Sequence, residues 1–213
     1  MIYIKTPAEI EKMRKSCRII GELLDALETI IRPGISTLEI DKFAEDFIGS
    51  RGGKPSFKGY RVDGLPPFPG SICASVNEQI VHGIPSAKKI LQDGDIIGID
   101  VGVVLDGYNG DAARTYRVGK ISAEAEELLQ VTKEALERGI SAAIPGNRVG
   151  DISYAIGSFV AFRGYYVADN LTGHGVGRNL HEEPQIPNTG KPGRGPRLSA
   201  GMTLAIEPMV NIG

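Results

Sequence analysis

Six residues of this chain could bind a metal ion or move protons: His82, Asp100, Asp111, His174, His181 and Glu207. They include all three histidines. They fall beside glycines and in apolar, strand-like runs, away from the charged surface stretches. A carboxylate inside an apolar run is costly to bury unless something pairs with it. Three such carboxylates together with three imidazoles point to a hard or borderline metal site with general acid–base groups around it.

Each residue also has a plainer reading. Asp100 ends the run Ile96-Ile-Gly-Ile-Asp, and Asp106-Gly107 is a strong hairpin signal. A turn that pairs Leu105 with Tyr108 puts Gly102 opposite Asp111. Asp100 and Asp111 then share a face as diagonal neighbours, roughly 7–8 Å apart at the backbone, a span that two carboxylates can close onto shared metal. Gly102 is expected to leave room beside them, and Gly110 to form a bulge that re-aims Asp111. The alternative is that Asp111 is a turn residue and Asp100 a solvated strand end. Glu207 stands in Leu204-Ala-Ile-Glu-Pro-Met-Val, where a buried ion pair with an arginine is the alternative to a ligand. His174 lies in Gly173-His-Gly-Val-Gly177, where small neighbours let the backbone approach a ligand closely. His181 follows seven residues on, before Glu182-Glu183-Pro184, and His82 is the weakest candidate taken alone. Cys17 reads as a core residue on an apolar helix face, Cys73, after the Gly- and Pro-rich loop, as a candidate pocket wall, and Tyr60 as a turn aromatic or a pocket wall.

These residues need elements to position them. Thr6-Pro7 starts a helix over 7–31, carrying Ile10, Met13, Cys17, Ile20, Leu24, Leu27 and Ile31 at spacings of three and four. Pro33-Gly34 stops it, and a second helix runs from Ser36 or Thr37 to Arg51. The stretch 55–72 is a Gly- and Pro-rich loop, and 72–82, 95–105 and 111–118 read as extended. The order then repeats: a helix from Ser122 to Ile144, a stop at Pro145-Gly146, and a helix from Arg148 to Arg163. Pro33 and Pro145 are 112 residues apart, as are Arg51 and Arg163. Leu91-Gln-Asp-Gly94 and Leu198-Ser-Ala-Gly201 each feed an apolar run ending on a carboxylate, Asp100 and Glu207. This spells a duplicated α/β unit with halves of about 1–118 and 119–213. Pairing such halves about a pseudo-two-fold axis would bring Asp100 and Glu207 to a common centre. Chance similarity of helix and strand order is the alternative.

Composition sets the class. With 213 residues, 41% hydrophobic and 23% charged, one shared core is within reach. A net charge of −2 with no basic block gives no electrostatic footprint for nucleic acid. No apolar run approaches the roughly 18 residues of a membrane span, and residues 1–15 carry no cleavable signal pattern. Cys17 and Cys73, far apart, read as thiols of a reducing compartment, with a single disulfide as the alternative.

From Lys5 to its last residue the chain resembles the type I methionine aminopeptidases. The matching motifs are Val76-Asn-Glu-Gln-Ile-Val-His82-Gly-Ile-Pro, Asp100 through Gly110-Asp111, Gly173-His-Gly-Val-Gly-Arg-Asn-Leu-His181-Glu-Glu-Pro and Ile206-Glu207-Pro-Met-Val. The resemblance implies the α+β pita-bread fold of peptidase family M24, with duplicated halves around a central curved antiparallel sheet and helices on its outer face. It implies a cytoplasmic, monomeric enzyme that removes the initiator methionine from nascent chains near the ribosome when the second residue is small. It implies two divalent metal ions, Co, Mn or Fe ahead of Zn or Ni, held by Asp100, Asp111, His174 and Glu207. His82 and His181 would contact substrate and assist the reaction, and Phe57, Tyr60, Cys73 and Leu180 would line the methionine pocket. The loop 61–71 is longer than the family pattern, and Leu180 stands where an aromatic residue is common. The family also has a fifth ligand, a glutamate about thirty residues beyond Glu207. The sequence stops at Gly213; if that is the whole chain, its final strands are absent and the protein is expected to be metal-poor and nearly inactive, with a raw sheet edge. The competing readings are an Xaa-Pro aminopeptidase or prolidase, and a non-catalytic pita-bread binding protein.

Overall fold

The computed structural model describes residues 1–62, 64–168 and 170–213. Its helices are α1 (Pro7–Leu27), α2 (Thr37–Ser50), α3 (Ala123–Ala142) and α4 (Val149–Phe162). Its strands are β1 (Lys54–Pro55), β2 (Cys73–Val76), β3 (Ile96–Leu105), β4 (Tyr108–Arg117), β5 (Tyr166–Val167), β6 (Thr172–Gly175), β7 (Glu182–Pro187), β8 (Leu204–Ala205) and β9 (Val210–Asn211). Packing groups the chain into two compact units, Glu11–Ser122 and Ala123–Gly213, and the first ten residues join the second of these. Among the described residues, no helix is long and apolar enough to cross a membrane.

In the unit Glu11–Ser122, α1 buries the stripe Met13, Ile20, Leu23, Leu24 and Leu27. The helix ends four residues short of the expected Ile31. The amides of Glu28, Thr29 and Ile30 reach carbonyls only three residues back, at 3.3, 3.2 and 3.0 Å, so the chain leaves the helix through a tightened turn. Cys17 is not a core residue: it is exposed, and the neighbouring Ser16 faces inward instead, its Oγ donating to the Tyr108 carbonyl at 2.8 Å. Helix α2 begins with a capping box, in which the Ser36 side chain accepts from the Glu39 amide and the Glu39 carboxylate from the Ser36 amide. Strand β3 is central, flanked by β1 and β2 on one edge and by β4 on the other, all antiparallel. Asp106 and Gly107 have φ of 51° and 77°, the pair of positive angles a two-residue type I′ turn requires. The register is therefore the expected one, with Leu105 opposite Tyr108 and Gly102 opposite Asp111. Pairing runs without interruption through Gly110, so the expected bulge is absent. Gly110 serves close approach instead: a Cβ there would lie 2.8 Å from the Cys17 backbone nitrogen on α1. Ile20, Leu23 and Leu27 of α1 and Ile40 and Ile48 of α2 pack against Ile97, Ile99, Val101 and Val103 of β3.

The second unit repeats this plan. Its core joins Val131 and Ala135 of α3, Ile152 and Ile156 of α4 and Ile186 of β7. Its strands form a three-stranded antiparallel sheet, β7-β6-β8, and a pair, β5-β9. The duplication extends to single hydrogen bonds. Gly34 donates to the Leu91 carbonyl at 2.8 Å and Gly146 to the Leu198 carbonyl at 3.1 Å. Leu91 donates back to Ile35 at 2.9 Å, and Leu198 to Asn147 at 2.7 Å. The glutamate of the first capping box is matched by Asp151, which accepts from the Arg148 amide at 2.7 Å.

Residues Met1–Ile10 attach to this unit through Lys5. Its ammonium meets Glu182 at 2.6 Å with both side chains almost fully buried, and its amide donates to Gly201 at 2.8 Å. Removing one partner of a buried ion pair leaves the other charge uncompensated. Lys5→Met is therefore expected to cost about 3–5 kcal/mol of stability, read as a lower urea midpoint. A shift below ~1 kcal/mol would mean that water solvates Glu182 once the lysine is gone.

Candidate metal and acid–base site

The carboxylate pair sits on the β3–β4 hairpin. Asp111 pairs across the ladder with Gly102 and Asp100 with Ala113, which makes the two aspartates diagonal neighbours on one face. Both are half-buried. The space beside Gly102 is taken by neighbours: a Cβ there would lie 2.8 Å from Cε1 of Phe57 and 2.9 Å from Cβ of Ser56. The glycine thus admits the Phe57 ring, rather than leaving room for the carboxylates. Ser56 Oγ donates to Asn109 Oδ1 at 2.8 Å, which pins the segment carrying Phe57 to β4.

Cys73 lies opposite Asp100 on β2. Burial, with the Asp100 and Asp111 charges adding to it, pushes its thiol far above the usual range. A buried thiol so disfavoured as thiolate makes a poor nucleophile. The Asp41 carboxylate of α2 fixes the approach to Cys73, accepting from the Ser71 and Ile72 amides at 2.7 and 3.0 Å. His82 is exposed and left-handed, with φ of 59°. Such a conformation in a non-glycine residue has to be held by its surroundings. Here Ala74 donates to the Gly83 carbonyl at 2.8 Å, and Gly83 to Ser75 Oγ at 3.0 Å. A Cβ at Gly83 would collide with the Ala74 carbonyl, so this seam admits only glycine. Tyr60 is half-buried, and its amide donates to Phe57 at 2.8 Å.

The other candidates share the second unit. His174 lies on β6, where the register with β7 shifts between His174 and Gly175. Its neighbours Gly173 and Gly175 are pressed against the carbonyls of Ala205 and Glu183, closer than any side chain would allow. Nδ1 lies 2.8 Å from the Gly175 carbonyl. A carbonyl can only accept, so Nδ1 carries a proton, and in the neutral form of the ring Nε2 presents a lone pair. That Nε2 faces Glu207 Oε1 at 3.2 Å. Two electron-rich atoms so placed require a proton or a metal cation to reconcile them. Glu207 lies just past β8, and Asn188 holds its backbone, donating to the Glu207 carbonyl at 2.8 Å. The His181 ring meets the His174 ring edge-on with centroids 4.4 Å apart, and Leu180 beside it is buried.

The structure thus brings together Asp100 with Asp111, Cys73 near both, and His174 with Glu207 and His181. Among the described residues no group of three or more His, Cys, Asp or Glu side chains is gathered closely enough to hold a metal ion. The donor chemistry of each pair fits a hard or borderline divalent cation: carboxylate oxygens in one, one imidazole and one carboxylate in the other. Three supporting residues escaped sequence reasoning: Lys5, Asp41 and Asn188. For Asn188 there was a signal, since it continues, one residue past β7, the alternation by which Pro184 and Ile186 are buried.

Comparison with known proteins completes the assignment. The model of metallopeptidase family M24 matches residues 11–213. A methionine aminopeptidase of Bacillus subtilis is 52% identical over 213 residues, covering 100% of this chain and 84% of its own length. One from Clostridium acetobutylicum is 51% identical, covering 100% and 83%. The crystal structure of the Thermotoga maritima methionine aminopeptidase superposes with a TM-score of 0.96 at 45% identity, covering 100% of this chain and 84% of that one. The helix-and-strand duplication, the donor pairs and these likenesses agree: the chain has the pita-bread fold and belongs to metallopeptidase family M24, among the methionine aminopeptidases.

Proposed function

We propose that the protein removes N-terminal methionine from nascent polypeptides in the cytoplasm, acting as a monomer near the ribosome. The observation that carries this reading is the His174–Glu207 pair, with Nε2 facing a carboxylate oxygen at 3.2 Å, in a chain that belongs to the methionine aminopeptidases. As a metallopeptidase it works with divalent metal ions. The proposal is two ions, with Asp100 and Asp111 as ligands from the hairpin and His174 and Glu207 as ligands from the second unit. An oxygen-rich set with one imidazole suits Mn, Fe or Co better than Zn or Ni. When bound, the ions polarise the scissile carbonyl and activate water at neutral pH.

The chain's own residues do the rest. The Gly175 carbonyl keeps the proton on Nδ1 of His174, so that Nε2 stays a ligand. His82 and His181, both exposed, stand ready to contact the peptide and to donate to the oxygen that gains charge as the carbonyl is attacked. Phe57, Tyr60, Cys73 and Leu180 are the proposed contacts of the methionine side chain, whose flexible, polarizable thioether suits an apolar slot.

A tight cleft would require a small second residue. Met-Ala-Ser should therefore be cleaved roughly 10²-fold faster, in kcat/KM, than the same peptide with isoleucine second. Equal rates would overturn the tight cleft, and faster cleavage of Xaa-Pro peptides than of Met-Ala-Ser would favour a prolidase-like activity.

A further inference from the structure

We propose that Lys5, acting through Glu182, is a positioning residue for His181. This rests on the substrate-facing role proposed for that histidine. His181 itself is exposed at the end of the turn 176–181, with its ring edge-on to that of His174. What fixes the turn is the side chain next along. One Glu182 oxygen takes the Lys5 ammonium at 2.6 Å, and the other accepts from the Asn179 amide at 3.1 Å. The carboxylate therefore ties the turn, from inside, to the segment Met1–Ile10.

The fit is close. A Cβ at Gly177 would lie 2.6 Å from Cε of Lys5 and 2.7 Å from Oε1 of Glu182, so the ion pair lies flush on the bare backbone there. Gly177 in turn donates to the Asn179 carbonyl at 3.0 Å, closing the turn on itself. The segment 1–10 is anchored independently. Lys5 donates through its amide to Gly201 at 2.8 Å, and Ile2 bridges to Glu183. At the start of α1, Thr6 and Glu9 form a capping pair, and Glu9 reaches Arg178 of the same turn at 3.3 Å. That outer contact is largely exposed and contributes little. The buried one is left to set the geometry, the use for which buried ion pairs are best suited. Displacing a reacting group by about 1 Å costs on the order of 10²-fold in rate.

The test is the pair Lys5→Met and Glu182→Gln made together. This removes both charges at similar volume and keeps an acceptor for the Asn179 amide, so no charge is left stranded. Amide hydrogen exchange of 177–182 should rise at least about tenfold while that of β3 and β4 is unchanged. In steady-state hydrolysis of Met-Ala-Ser, kcat should fall about tenfold or more with KM and metal content unchanged. In a His181→Ala background the same double change should cost less than about twofold, because the group being positioned is gone. Unchanged exchange of 177–182, or an equal kcat loss with and without His181, would overturn the proposal. If His181→Ala alone leaves kcat intact, the role of His181 fails and this inference with it, a result readily told apart from additivity.

Discussion

Asp111→Asn is expected to lower hydrolysis of Met-Ala-Ser by on the order of 10³-fold or more and to strip divalent metal from the protein. The substitution keeps volume and shape and removes one charge. Metal assistance supplies several kcal/mol of transition-state stabilisation, and each 1.36 kcal/mol is a factor of ten. Asp100→Asn should behave alike, since the two carboxylates sit diagonally on one face of an unbroken hairpin. In the metal-free protein two neighbouring carboxylates repel each other, so each variant should unfold at the same urea concentration as the metal-free parent or a slightly higher one. Metal analysis of the dialysed protein and steady-state kinetics decide the matter. Retained metal with full activity in Asp111→Asn would remove the hairpin from the site.

His82→Ala and His181→Ala form the second large expectation, with a different signature. Each should lower kcat by about 10²-fold or more, as for loss of a positioned acid–base or oxyanion group, while bound metal stays constant. His82 is held in a left-handed conformation by the Gly83 seam against β2, an arrangement that a merely solvated histidine would not need. His181 stacks edge-on against the proposed ligand His174. Loss of metal in either variant would make that histidine a ligand instead.

Local chemistry was legible wherever one element decides the outcome. The Asp106-Gly107 turn set the whole β3–β4 register, and with it the placement of Asp111 opposite Gly102. The duplication was legible because the same turn residues recur, down to Gly34 and Gly146 donating to matching leucine carbonyls. Misreadings came where one residue type serves two purposes. A strand glycine marks either a bulge or a close approach, and only the packing of α1 shows that Gly110 is the second. On α1 hydrophobicity favoured Cys17, whereas the inward position belongs to Ser16, which satisfies its hydroxyl on Tyr108. Lys5 was illegible as a supporting residue. A lone lysine near the start of a chain looks like a solvated terminus, and the partner that makes it otherwise lies 177 residues away.

That separation has a consequence during synthesis. The segment Met1–Ile10 leaves the ribosome before the unit Glu11–Ser122, yet its docking partners lie in Ala123–Gly213. At roughly 5–20 residues per second, the 177 residues between Lys5 and Glu182 take about 10–35 s to make. Through that interval the hairpin and helices of Glu11–Ser122 have already been made, while Lys5 has no Glu182 to meet. The docking of Lys5 on Glu182 therefore comes after the hairpin and both helices of Glu11–Ser122 have been made. On the positioning proposed above, the His181 turn gains its inner tie only once Glu182 has been made and Lys5 has docked on it.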